Sequence, residues 1–179
     1  NEIDNLVKEI NHEFSIVIVN DGSSEMKPDG FGFSENLQSV QILNIKKNMG
    51  HARCIATGLK HIFQNDEFDY IIPMDGDGED RPEEIKIFID NLSYNPDTTI
   101  VGERVKRSEG IIFKLSYSIH KLITFIFTGK SIKFGNYTFL PKKTVEKLIN
   151  DKSTWNSFSG ALSKSVSYTH LTLPTKWIG

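Results

Sequence analysis

Cysteine is almost missing. Cys54 is the only one in 179 residues, so no disulfide can form within the chain, which suits a reducing compartment. A basic excess is missing too, since 21 Lys and Arg against 23 Asp and Glu leave a formal charge of -2. A nucleic-acid surface needs concentrated positive charge, so none is expected, and any bound phosphate must be met by local groups. No apolar run is both long enough and free enough of charge to be read as a membrane span, and no secretory signal is present. Internal repeats, low-complexity tracts and dividing linkers are lacking as well. What remains, 38% hydrophobic and 25% charged residues, is the balance of one globular domain with a sizeable core, which excludes disorder as the default.

Along the chain the apolar residues alternate between helical and strand patterns. Ile3, Leu6, Val7 and Ile10 fall at helical spacing, and Phe14 to Val19 is a continuous apolar run closing on the turn Asn20-Asp21-Gly22-Ser23. Such a run reads as a buried, parallel strand. Val40 to Ile45 repeats it, and Ala52, Ile55, Ala56, Leu59 and Phe63 lay out the buried face of a helix over residues 50–63. "FDYIIPM" (68–74) is the third expected strand. Pro82 stands where the next helix would begin, with Ile85, Phe88, Ile89 and Leu92 on its buried face, and "TTIVGERV" (98–105) is the fourth strand. Strand and helix in alternation predict a mixed α/β fold. Over residues 111–127, Ile111, Leu115, Ile119, Leu122 and Ile126 share one helical face, with Lys114, Ser118 and Lys121 on the other. That helix either packs on a core or lies at a membrane surface with its lysines reaching anionic headgroups; Lys114, His120 and Lys121 exclude a span.

The densest chemistry is in "DYIIPMDGDGEDRPEEI" (69–85), where Asp75, Asp77, Glu79, Asp80, Glu83 and Glu84 crowd together with only Arg81 to offset them. Carboxylates this close raise one another's pKa unless something positive sits among them. Asp75 and Asp77 follow the third strand as Asp21 follows the first, and ligands of open α/β sheets bind beyond the carboxyl ends of the strands. Both acidic turns are therefore expected on one rim. A carboxylate there can accept hydrogen bonds from a nucleobase or ribose, and an i, i+2 pair can flank a hard cation that completes its shell with water and substrate phosphate. A divalent cation bridging protein to diphosphate supplies the missing charge. Two acids in a turn are by themselves ordinary surface; their place directly after an apolar strand favours the metal. Glu83 and Glu84 read instead as a solvated first helical turn, favoured by the helix dipole.

Five stretches, in order and at matching spacing over roughly residues 1–150, carry a family resemblance: "NEIDNL", "VNDGSS", "NMGHARCIATGL", "MDGDGEDRPEEI" and "IVGERVKR". With them the sequence resembles the family 2 inverting glycosyltransferases of the GT-A fold, in particular the polyprenyl-phosphate and dolichyl-phosphate sugar transferases. The resemblance implies a Rossmann-like three-layer α/β/α domain with a mostly parallel sheet. It implies a nucleoside diphosphate sugar as donor, bound by Asp21, Gly22, Ser23, His51, Asp75 and Arg104, with Asp21 at the nucleoside base. Mg²⁺ or Mn²⁺ would be held by Asp75 and Asp77, with Glu79, in the place of a common Gln, adding a further oxygen. Asp77 and Asp80 are the candidate catalytic residues, Asp80 serving as base if the acceptor is a sugar hydroxyl. The acceptor implied is a polyprenyl (lipid) phosphate or a glycan, and the setting the cytoplasm, at the cytoplasmic face of the membrane during cell-envelope synthesis. "FGNYTFLPKKTVEKL" (134–148) takes the place of a family segment near the acceptor, with Thr138 where Arg is common.

Both ends of the chain read differently from its middle. It starts at Asn1 already in a helical pattern, and the resemblance implies a missing first strand, upstream and central between the strands ending at Asp21 and Asp75. Loss of that strand would leave ladder groups unpaired, so an inactive fragment is one alternative to a working enzyme. The other is a nucleotidyltransferase of similar topology, for whose phosphate loop "NDGSSEMK" offers only Lys27. "SVSYTHLTLPTK" (165–176) looks like a translated sequencing-library adapter, so residues 1–164 are expected to be the catalytic domain and 165–179 a non-native tail. Tyr168, Thr169, Leu171 and Leu173 would also suit a strand.

Overall fold

Apolar, β-branched residues build the first sheet: β1 (Phe14–Asn20) and β2 (Leu37–Asn44) pair in parallel, Ile16 opposite Val40 and Ile18 opposite Ile42. The computed structural model describes residues 2–10, 12–23, 37–92, 96–104 and 134–173. The helix expected over 111–127 and Lys27 lie outside the described residues. Helix α1 (Glu2–Glu9) precedes β1, and α2 (His51–Asn65) follows β2.

The second sheet has the order β3, β5, β4, β6, formed by Tyr70–Ile71, Thr138–Pro141, Thr99–Arg104 and Tyr168–Leu173. β5 runs antiparallel to both β3 and β4, whereas β4 and β6 are parallel, so most paired residues among those described are in parallel ladders. A 3-10 turn (Pro82–Glu84) leads into α3 (Ile85–Leu92). After β5 come α4 (Lys142–Asn150), a 3-10 turn (Lys152–Trp155) and α5 (Phe158–Ser165).

Strand alternation sends successive residues of β4 and β5 to opposite faces, and each face buries its own cluster. Val101 and Leu140 join Leu59 of α2, Val145 and Leu148 of α4, and Phe158 and Leu162 of α5. Ile100 and Phe139 join Leu6 of α1, Ile85 and Phe88 of α3, and Tyr137. Helices thus cover both faces of the sheet, the three-layer arrangement. The buried Thr99 and Thr144 hydroxyls satisfy each other at 2.8 Å and tie α4 to β4.

Two expectations need correction. The third strand, expected over 68–74, forms a ladder only at Tyr70 and Ile71, because β3 pairs on one side with β5 and, among the described residues, with nothing on its other side. β1 likewise pairs only with β2, so no ladder joins the two sheets among the described residues. Glu84 is buried, not solvated; Glu83 alone of that pair is exposed, because the 3-10 turn rotates residue 84 inward beside Pro82 and Ile85. Residues Tyr168–Leu173 pair in parallel with β4, with Leu173 1% exposed in the α1–α3 layer. β4 offers an otherwise open edge, and an open edge accepts any segment of strand-forming residues such as Tyr168–Leu173.

Candidate active site

The rim forms where the first residues of α2 meet the loops that leave β1 and β3. Asp21, just past β1, accepts hydrogen bonds from the Met49 N–H at Oδ1 (2.7 Å) and the Gly50 N–H at Oδ2 (2.9 Å). The Met49 donation, with Gly50 and the Cys54 thiol adding to it against some desolvation, holds the Asp21 carboxyl below its ordinary value. Burial, then the hydrogen bond and charge of Asp21, push the Cys54 thiol up to about 11, so it stays a neutral donor rather than a thiolate. Asp21 thereby fastens the end of β1 to the start of α2, while the carboxylate keeps a further lone pair for a ligand.

That bond carries a pH signature. A carboxyl whose folded pKa is depressed contributes stability above its unfolded value, 3.8 here, and loses it as pH falls through the lower folded value. Asp21→Asn is therefore expected to be less stable than the parent at about pH 6, with the difference vanishing in the acid limb of a pH-dependent melt. An amide cannot replace the carboxylate, because its nitrogen would face one of the two backbone donors.

Gly22 and Ser23 continue the turn. The Ser23 N–H donates to Asn20 Oδ1 at 3.0 Å, and Gly22 has φ 75°. A Cβ on Gly22 would come within 3.0 Å of the Asn48 nitrogen and 3.2 Å of the Lys47 carbonyl carbon. Left-handed strain and backbone collision act together, so Gly22→Ala is expected to cost about 1–3 kcal/mol in a denaturant melt.

The acidic loop after β3 is braced from inside. Buried Asp80 accepts the Asp75 N–H at Oδ2 (2.8 Å), and Asp77 Oδ1 accepts the Glu79 N–H (2.9 Å) around Gly78, whose φ is 82°. The Tyr137 hydroxyl donates to the Arg81 carbonyl at 2.7 Å and closes the loop against β5. Asp77 and Glu79 point to solvent, while Asp75 is half-buried. Asp80, expected as a candidate catalytic base, is buried and braces the loop through the Asp75 N–H.

Asp75 meets His51, the first residue of α2, with Oδ1 3.4 Å from the ring Nε2. The His51 Nε2 is also hydrogen-bonded by the Asn136 side-chain Nδ2. Asp75 Oδ1 is buried and makes no hydrogen bond. The rim thus brings together Asp21, His51 and Asp75 through the start of α2, with Asp77 at the same loop. Arg104 closes β4, and its side chain lies outside what is described. Asn136 is the residue sequence reasoning missed; its segment was singled out, and Thr138 proves to be a fully buried strand residue whose hydroxyl donates to the Asn136 carbonyl at 3.1 Å.

Among the described residues no three His, Cys, Asp or Glu groups converge to hold a metal, so Asp75, Asp77 and Glu79 are not a preformed three-ligand cluster. A Mg²⁺-type site needs only one or two carboxylates beside water and substrate phosphate, and the buried, unbonded Asp75 Oδ1 fits that demand.

A three-layer α/β domain with carboxylates gathered past its strand ends is the architecture of nucleotide-binding enzymes. The chain belongs to glycosyl transferase family 2, whose family model matches residues 2–158, and it has that family's GT-A Rossmann-like fold. It is a glycosyltransferase by family, which displaces the nucleotidyltransferase alternative. A search of curated proteins finds no match.

Proposed function

We propose that this protein transfers a sugar from a nucleoside diphosphate sugar to a polyprenyl phosphate, with inversion at the anomeric carbon and dependence on Mg²⁺ or Mn²⁺. The observation that carries the reading is Asp75 Oδ1, a buried carboxylate oxygen without a hydrogen bond, beside Asp77 on the rim that Asp21 shares. Asp75 and Asp77 would hold the cation, which supplies neutralising charge for the departing nucleoside diphosphate. Asp21, Gly22 and Ser23 hold the nucleoside end, and the amino end of α2 favours the negative diphosphate. His51 and Arg104 flank the donor.

Among the described residues, the burial of Asp80 favours a lipid phosphate as acceptor. A sugar hydroxyl must lose its proton to a base, and Asp80, the candidate for that task, is buried in the loop brace. A lipid phosphate is already ionised and needs none. A glycan hydroxyl is the second reading, with the exposed Asp77 as its base. Among the described residues no helix is long and apolar enough to cross a membrane.

The test is calorimetric titration of UDP- and GDP-sugars with and without Mn²⁺ or Mg²⁺. Binding that requires the ion is expected; equal binding without it would remove the metal from the mechanism. Turnover on polyprenyl phosphate in detergent but not on a free glycan would separate the acceptors. The catalytic domain is proposed to be residues 1–164, so truncation after Lys164 is expected to lower the melting temperature by uncovering the β4 edge while leaving donor affinity unchanged.

A further inference from the structure

We propose that Asn136 is a positioning residue that keeps Asp75 Oδ1 unbonded, with its lone pairs left for its ligand, by fixing the tautomer of His51. The chemistry turns on one hydrogen bond. An amide nitrogen only donates, so the contact from Asn136 Nδ2 makes His51 Nε2 an acceptor and places the ring proton on Nδ1. His51 Nε2 stands 3.4 Å from Asp75 Oδ1, close enough for a charge-assisted bond if it carried a proton. Without one, two acceptors face each other, and Asp75 Oδ1 is left without a hydrogen bond. The amide of Asn136 therefore prevents the imidazole from closing the carboxylate that the cation needs.

The segment that presents Asn136 is held on both sides. Thr138 Oγ1 donates to the Asn136 carbonyl, the Tyr137 hydroxyl to Arg81, and the Gly102 N–H to the Tyr137 carbonyl at 3.0 Å. The amide is thus presented to His51 from a fixed backbone rather than from a loose loop. Two further polar groups of the Asn136 side chain, Oδ1 and the second N–H of Nδ2, remain for the bound donor. The proposal rests on the metal reading above only in what the open carboxylate is for.

Two measurements test it on the full chain. In a long-range proton–nitrogen correlation spectrum, His51 is expected to carry its proton on Nδ1. Asn136→Ala and the isosteric Asn136→Asp are both expected to move it to Nε2, the first toward Asp75 and the second toward the new carboxylate. A proton already on Nε2 in the parent, or no change in either variant, would overturn the proposal. Titration with Mn²⁺ in the presence of UDP, read from the spin resonance of the free ion, supplies the second arm. Asn136→Ala is expected to weaken Mn²⁺ binding about tenfold, the scale of one hydrogen bond to a charged group, and to cost nothing further in a His51→Ala background. An equal loss in that background would show that Asn136 does not act through His51. If the parent binds no Mn²⁺, the metal reading fails and the open carboxylate loses its purpose, while the tautomer measurement still decides what Asn136 does to His51.

Discussion

Asp75→Asn is expected to reduce sugar transfer by about 10³-fold, the scale seen when one preorganised electrostatic partner of a developing charge is removed. The substitution keeps the volume and the backbone, so the Asp75 N–H still donates to Asp80 and the loop keeps its brace. What is lost is the negative charge on a buried oxygen that makes no hydrogen bond. Donor binding in the presence of Mn²⁺ should weaken with it, while the melting temperature stays at or above that of the parent, because an unpaired carboxylate at the edge of burial is no stabilising feature. Steady-state kinetics beside a thermal melt check both halves. Unchanged transfer in a folded variant would take Asp75 out of the metal site.

Phe88→Ala should have the largest effect on folding, destabilising by about 3–5 kcal/mol in a denaturant titration. The ring is fully buried, edge-on to Tyr137 at 5.1 Å and stacked on Phe139 at 6.0 Å. It is the contact through which α3 is seated on the sheet. The same substitution should reach the site, because Tyr137 carries the hydroxyl that closes the acidic loop at Arg81 and is the neighbour of Asn136. Donor affinity is therefore expected to fall more than a variant of equal cost in the other layer would cause. Leu162→Ala, buried among α2, α4 and α5, is the comparison.

The acidic rim was legible from two local signals, an apolar run and a carboxylate directly after it. Those signals place Asp21 and Asp75 at strand ends whatever else the chain does, since a side chain's position along a strand is local information. They do not say which carboxylate stays open. Asp75 and Asp80 look alike in the sequence, yet one is buried as a backbone acceptor and the other keeps an unbonded oxygen, a difference created by how the loop closes on Tyr137. Glu83 and Glu84 are separated in the same way, because one turn of 3-10 rather than α geometry decides which of two neighbours faces inward.

The sequence by itself determined the family, the alternation of strands and helices, and the carboxylates past the strand ends, because each depends on residues near one another in the chain or on motifs in order. Only the tertiary structure decided that β5 runs against β3 and β4, so that the start of β5 lies at the rim where those strands end. That reversal carries Asn136 to His51 across 85 positions of sequence, a pairing set by sheet order and register, which local patterning does not encode.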